Sequence, residues 1–306
     1  MKKYISVMIV SAILLLSGCN VYKNYDTRFL ADTVCTLSIK GSEDILSLCF
    51  EEAQQIAIDL SCHDEGYIYA LNDTGGGEII SEYKKIIEKS IYYAEKYCDK
   101  FDITLYPVNA LWDFENCVVP DSEKLTSALC NVDYHRISIE NNYINLNGTR
   151  LDLGAVAKGY IADCMAQYLD SNGVTDYLIN FGSTIIVNGK RKNVNIRYPD
   201  SSSHIAYTLR IKNKCVSTSG TYERVFEQNG TKYHHIIDST TGYPVETDIA
   251  SATVVTDNGL TGDILSTICV LLGSEAAINM VREENIPAVF ILNNNEIIKI
   301  NTDEVN

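Results

Sequence analysis

The stretch from Tyr177 to Gly189, Y-L-I-N-F-G-S-T-I-I-V-N-G, reads as two short apolar runs, Y-L-I-N-F and T-I-I-V, parted by Gly-Ser. Runs this short, rich in β-branched residues and broken by turn formers, are strands. V-N-I-R-Y (Val194–Tyr198) and Y-T-L-R-I (Tyr207–Ile211) continue the series, and S-A-T-V-V-T (Ser251–Thr256) adds another strand. Upstream the character is helical. Ser42 can cap a helix running to about Leu60, with Ile45, Leu48, Cys49, Ala53, Ile56 and Leu60 on one stripe. Ser81–Cys98, Asp121–Cys130 and Gly154–Asn172 read as further helices, the last ended by Gly173. Phe29–Lys40 reads as one strand, and Asp73–Gly77 as a turn. After Thr256 come a helical pair, Asp263–Leu272 and Ser274–Glu283, and a closing hairpin of A-V-F-I-L and E-I-I-K-I. The order lacks the regular alternation of a doubly wound sheet. The expected fold class is therefore α+β, mixed sheets with packed helices, as two closely joined lobes around one site.

The chain has 306 residues, 46% of them apolar, which is globular composition. Its formal charge of −15 argues against nucleic acid as a partner. An anionic ligand would need local neutralisation by a metal or a placed Lys. Lys2 and Lys3 precede an apolar run, Ile5–Leu16, that is too short to span a bilayer. Leu16-Ser17-Gly18-Cys19 follows in the form of a bacterial lipobox, so cleavage before Cys19 and lipid on its thiol are expected. The organisation expected is a lipoprotein signal peptide (1–18), a lipidated Cys19 with its tether (19–26), one domain (27–300) and a polar tail (301–306). Nine further cysteines are scattered without any C-x-x-C pair. This argues against zinc or iron–sulfur, while a disulfide or two stays open.

Chemistry concentrates in Tyr233–Thr267. Y-H-H-I-I-D-S-T-T-G-Y-P-V places two imidazoles and a carboxylate beside a Gly-Tyr-Pro turn. In an extended segment His234 and His235 face opposite ways, so one of them enters a site. Asp263 and Thr267, four apart, share one helix face and offer two hard oxygens, which suits Mg²⁺ or Ca²⁺. D-L-G-A-V-A-K-G (Asp152–Gly159) stands at a strand-to-helix junction, where unpaired N–H groups and Lys158 could hold a diphosphate. The competing reading is an N-capping Asp152 and a solvated Lys158. S-T-S-G-T-Y (Ser217–Tyr222) is either a hydrogen-bonding segment or a plain turn. The only Trp, Trp112, reads better as core than as a stacking platform.

Taken as an ordered set, six motifs resemble the FAD:protein FMN transferase (ApbE) family: F-D-I-T-x-x-P with L-W, D-L-G-A-V-A-K-G-Y, L-I-N-F-G-S, S-T-S-G-x-Y, H-H-I-I-D-x-x-T-G-Y-P and D-x-x-x-T. The resemblance runs from about Phe29 to Leu272. It implies cleavage of the FAD pyrophosphate and transfer of the FMN phosphoryl group to a Thr or Ser of a client protein, releasing AMP. It also implies a Mg²⁺ site from the Ala155 carbonyl with Asp263 and Thr267. FAD contacts would fall on Phe101, Asp102, Asp152, Lys158, Thr218 and Ile237. His235 matches the family's catalytic His, with Asp238 to orient it or serve as base. The client would be an electron-transfer subunit or secreted reductase outside the membrane. The sequence departs from the family pattern at Tyr106, Asn109-Ala110, Ser239 and Ser266. FAD hydrolysis, or flavin binding without catalysis, are the rival readings.

Overall fold

The computed structural model describes residues 24–63, 65–200 and 204–305. The expected signal peptide and the expected lipidation site, Cys19, lie outside the described residues. In chain order the first half contains β1 (Asn24–Leu30), β2 (Thr33–Ile39), α1 (Glu43–Leu60), α2 (Tyr67–Thr74), β3 (Gly76–Glu78), α3 (Ser81–Tyr97), α4 (Tyr106–Asn109), α5 (Ser122–Leu129), β4 (Ser138–Glu140) and β5 (Tyr143–Asn145). The second half contains α6 (Ala157–Ser171), β6 (Tyr177–Phe181), β7 (Thr184–Asn188), β8 (Lys192–Arg197), β9 (Ile205–Ile211), β10 (Lys214–Gly220), β11 (Val225–Gln228) and β12 (Thr231–His234). It closes with β13 (Ile249–Thr256), α7 (Gly259–Leu272), α8 (Ser274–Glu283), β14 (Ala288–Leu292) and β15 (Ile297–Ile300).

An eight-stranded sheet of order β1-β2-β6-β7-β10-β13-β14-β15 organises the molecule. Each neighbouring pair in it is antiparallel. The α+β expectation is thus borne out. Helices α1, α6 and α7 pack together and onto the sheet. Their core includes Leu37, Ile161, Ile179, Val254 and Ile268. The β8–β9 hairpin covers the other face, where Val194, Leu209, Val216 and Val255 form a second core. All eight residues of β13 are buried, because both faces of this central strand are covered. A smaller cluster, Leu105, Val108, Trp112, Leu125, Phe226 and Ile237, forms a separate packing unit.

Several boundaries differ from the sequence reading. The strand expected over Phe29–Lys40 is a hairpin, turned at Ala31 and Asp32 with φ of 45° and 58°. Both turn residues are left-handed, as in a two-residue type I′ connection, but neither is Gly or Asn, so the usual signal is missing. Asn24–Asp26, assigned to the tether, are the start of β1 and pair with β2. The polar tail is tied down: Thr302 is buried and Arg191 donates to the Val305 carbonyl at 3.0 Å. Helix α1 starts as expected, with Ser42 Oγ accepting from the Ile45 amide. Helix α7 begins four residues before the expected Asp263, at Gly259. Eleven of its fourteen residues are buried, so it carries no polar stripe to mark its start.

Two glycines let α6 and α7 meet backbone to backbone. A Cβ on Gly159 would stand 2.2 Å from the Gly259 carbonyl oxygen, and one on Gly259 would stand 2.4 Å from that of Gly159. No side chain fits at either position.

Candidate active site

Every site residue singled out from the sequence within the described residues borders one cleft of about 1030 Å³, with the exception of Asp238. The main core and the small aromatic unit both contribute walls. Residues as far apart in the chain as Phe101 and Thr267 are brought together there.

Asp263 sits at the bottom, buried on the second turn of α7. Its Oδ2 accepts the Gly159 amide at 2.6 Å, and its Oδ1 accepts the Thr184 hydroxyl. Burial pushes its carboxyl above the ordinary carboxylate range, against the pull of the nearby Lys158 ammonium and these hydrogen bonds. A buried carboxylate so placed gains from a cation. Gly159 is the third residue of α6, so its amide has no partner within the helix, and Asp263 supplies one. Ala155 is exposed and precedes α6, so its carbonyl lies outside the helix ladder.

Thr267 lies one turn further along α7 and borders the cleft. Its Oγ1 is 3.0 Å from Ser219 Oγ, which also meets Ser266 Oγ at 2.8 Å. Ser266 is fully buried and hydrogen-bonds the Asp263 carbonyl, so it does not face the cleft. Three neutral or singly charged oxygens (Ala155 O, Asp263 Oδ, Thr267 Oγ1) fit a hard cation that completes its shell with substrate phosphate and water. Among the described residues no group of three or more His, Cys, Asp or Glu could hold a metal, so a carboxylate cage or a zinc site does not fit.

His235 is half-buried, and its Nδ1 lies 2.9 Å from the Glu223 carbonyl oxygen. A carbonyl can only accept, so Nδ1 carries the hydrogen and Nε2 is left with a free lone pair. Burial lowers the imidazole to about 4, and the Lys158 and Arg224 cations act in the same direction. The ring is therefore neutral at pH 7, as a general base must be. His234 faces the other way. Its Nε2 lies 3.2 Å from the Val245 carbonyl oxygen, and its Nδ1 accepts from the Ile236 amide. The expected division of the two histidines is observed.

One sequence assignment needs correction, and a second residue, Thr218, has a partner the sequence did not show. Asp238 does not orient His235; the Glu223 carbonyl does. The Asp238 carboxylate instead accepts from Thr240 N and Oγ1 at 2.9 and 2.6 Å and pairs with Lys100 at 3.0 Å. Burial raises its carboxyl, but these partners outweigh it and hold the group below the usual range. It braces the Gly-Tyr-Pro turn, where the Gly242 amide donates to the Asp238 carbonyl. Thr218 borders the cleft, yet its hydroxyl is paired with Thr253 at 2.9 Å. Ser217–Gly220 belong to β10, not to a turn after it, so side chains alternate. Ser217 and Ser219 face α7, and Thr218 faces away.

The remaining assignments act as supports. Asp152 is no helix cap: its Oδ1 accepts the Gly154 amide at 2.9 Å and its Oδ2 accepts Asn109 Nδ2 at 2.8 Å. Asp102 accepts from Thr104 N, Thr104 Oγ1 and Tyr134 N, which fixes the Phe101–Thr104 loop; burial raises its carboxyl in spite of these bonds. Phe101 and Ile237 are buried wall residues. Trp112 is core, as read, with Nε1 donating to the Gly242 carbonyl. Nine cysteines are free thiols, which settles the disulfide question for the described residues. Thr184 and the Glu223 carbonyl escaped the sequence reading, which named Asn109 only as a departure from the family pattern. Ser219 lay in the hydroxyl-rich segment it singled out, and the alternation of β10 turns it to α7.

The ApbE family model matches residues 31–290. The FAD:protein FMN transferase of Treponema pallidum is 30% identical over 272 residues, covering 79% of this chain and 75% of that protein. That of Klebsiella pneumoniae is 34% identical over 206 residues, covering 65% of each. Among solved structures, the ApbE protein of Thermotoga maritima superposes with a TM-score of 0.83 at 24% identity, covering 92% of this chain and 98% of that one. The flavin transferase ApbE of Vibrio cholerae gives 0.81 at 21%, covering 92% and 99%. The low identity of these structures speaks to the fold, while the family model and the Treponema relative speak to descent: the chain belongs to the ApbE family.

Proposed function

We propose that this chain transfers the FMN phosphoryl moiety of FAD to a Thr or Ser hydroxyl of a client protein, releasing AMP. One observation carries the reading. Ala155, Asp263, Thr267, Lys158 and His235 all line one cleft, so the hard-oxygen cluster, a cation and a neutral imidazole meet there. Phosphoryl transfer needs charge neutralisation and alignment more than covalent help.

The residues divide accordingly. Ala155 O, Asp263 and Thr267 would hold Mg²⁺, which supplies charge neutralisation at the diphosphate when bound. Lys158, in the first turn of α6, adds a fixed positive charge beside it. His235 Nε2 takes the proton from the acceptor hydroxyl as its oxygen bonds to the FMN phosphorus. The bond from that phosphorus to the bridging oxygen breaks, and AMP departs with the bridging oxygen. The loop braced by Asp102 and the Asn109–Asp152 pair holds the walls against which FAD is aligned.

The address is part of the proposal. Cleavage before Cys19 and lipidation of its thiol would anchor the enzyme on the extracytoplasmic face. There the clients would be electron-transfer subunits or secreted reductases. Among the described residues no helix is long and apolar enough to cross a membrane.

The test uses the chain from Asn20 onward with FAD, Mg²⁺ and a flavin-accepting domain. Flavin fluorescence on the denatured client is expected. AMP with an unlabelled client would mean hydrolysis, and neither product would mean a binding protein.

A further inference from the structure

Gly159–Asp163 and Gly259–Asp263 are two copies of the pattern G-x-x-x-D, one on α6 and one on α7. At a spacing of four, each Gly and its Asp lie on one helix face. The structure joins the copies reciprocally. Gly159 N donates to Asp263 Oδ2 at 2.6 Å, and Gly259 N donates to Asp163 Oδ1 at 2.5 Å. Asp163 Oδ2 also accepts the Leu260 amide at 2.9 Å. Between these bonds the helix backbones touch, where a Cβ on either Gly would clash with the carbonyl of the other.

We propose that Asp163 is a positioning residue for the metal site, acting through α7. The inference rests on the metal reading given above and deepens it. One bond between two helices leaves them free to pivot and slide about it. A second, about one turn away, fixes their axial register. That register decides where the Asp263 and Thr267 oxygens stand relative to the Ala155 carbonyl and Lys158, which belong to the α6 side. A slip of a single residue moves a helix by about 1.5 Å, enough to spoil a coordination shell.

Helix capping by itself does not account for the arrangement. Helix α7 has its own local cap, Asn258, whose Oδ1 accepts the Thr261 amide at 3.0 Å. Asn258 precedes α7 directly; besides the Thr261 cap its Oδ1 accepts Lys89 Nζ of α3 at 3.4 Å, and neither bond is to α6. Asp163 is the cap that comes from the neighbouring helix. The two residues therefore separate end-capping from registration.

The test compares Asp163→Ala, Asp163→Asn and Asn258→Ala in the full folded chain. Mn²⁺, standing in for Mg²⁺, is titrated in the presence of FAD by loss of its free-ion electron paramagnetic resonance signal. Thermal midpoints are recorded in parallel. Both Ala variants should melt earlier than wild type. Asp163→Ala should also weaken Mn²⁺ binding about tenfold or more, the usual effect of losing a residue that orients a metal ligand. Asn258→Ala should bind Mn²⁺ near the wild-type level. Asp163→Asn, which keeps one acceptor, should fall between wild type and Asp163→Ala, and it serves alone if the Ala variant fails to fold. Equal Mn²⁺ affinity in wild type and the Asp163 variants, or equal losses in Asp163→Ala and Asn258→Ala, would overturn the inference alone. A wild-type chain that binds no Mn²⁺ would overturn the metal reading and this inference with it.

Discussion

The Gly159 amide donates to Asp263 Oδ2 across 2.6 Å, joining residues 104 apart in the chain. One hydrogen bond thereby does two things. It orients the buried carboxylate, and it satisfies an amide at the start of α6 that has no partner within the helix. The consequences can be measured.

Gly159→Ala places a methyl 2.2 Å from the Gly259 oxygen and 2.9 Å from the Asp263 carboxyl carbon. The helices must separate. Overpacking of this kind costs about 1–3 kcal/mol. Urea denaturation should show that loss, and FAD turnover should fall by at least the factor that Asp263→Asn produces.

Asp263→Asn preserves shape; its one oxygen can still accept from Gly159 N while its amide donates to the Thr184 hydroxyl oxygen, so the fold should survive. The charge is gone, and with it the best cation ligand. Turnover at limiting Mg²⁺ should drop by about 100-fold or more, as for loss of an electrostatic element worth roughly 3 kcal/mol. Excess Mg²⁺ should restore part of it. Wild-type kinetics in limiting Mg²⁺ would remove the metal assignment.

For His235 as the proposed base, the neutral form is the active one. Burial lowers the ring to about 4, so activity falls only as pH drops through that value. The kcat/KM profile for FAD reports free-enzyme groups, and saturating Mg²⁺ keeps Asp263 ionised. The acid limb should therefore lie well below an ordinary histidine, and His235→Ala should lose about 10²–10⁴-fold in rate. A limb centred at an ordinary histidine value would contradict the burial seen here.

Asp238→Asn separates bracing from catalysis. The native carboxyl is held low by Thr240 and Lys100 in spite of its burial. Its contribution is thus present above the ordinary carboxylate pKa and lost as pH falls through the lowered one. The variant should lose about 1–3 kcal/mol near neutral pH, the scale of hydrogen bonds to a charged group. Its stability should change less with acid than wild type does, and kcat should remain close to wild type. A rate collapse without a stability loss would restore Asp238 to the chemistry.

Much of this was legible in the sequence because short motifs mark where backbone and ligand meet. Asp152–Gly159 and Asp263–Thr267 announced a divided site, and the structure puts both on one cleft. What stayed hidden depends on contacts between distant segments. Gly159 stood in the motif, but nothing local says that its missing Cβ admits Gly259. In Ser217–Tyr222 nothing local tells which hydroxyls face α7, because one residue of strand register reverses the face. Asp238 looked catalytic from its closeness to His235 in sequence, whereas an Asp two residues before a Thr in a turn binds that Thr's own amide. The β1–β2 turn gave no Gly or Asn to mark it. The β11–β12 hairpin, four residues a side, carries too little apolar pattern to stand out beside the polar cluster that follows it.

The central claim is that this cleft moves an FMN phosphoryl group from FAD onto protein. The direct measurement is the ratio of AMP released to FMN bound covalently to the client, taken by chromatography and by intact mass of the client. The account predicts one AMP for each client gaining FMN with loss of water, both products slowed together by about 100-fold or more in Asp263→Asn at limiting Mg²⁺ and in His235→Ala. AMP accumulating over an unchanged client mass, or client labelling at the wild-type rate in both variants, would contradict it.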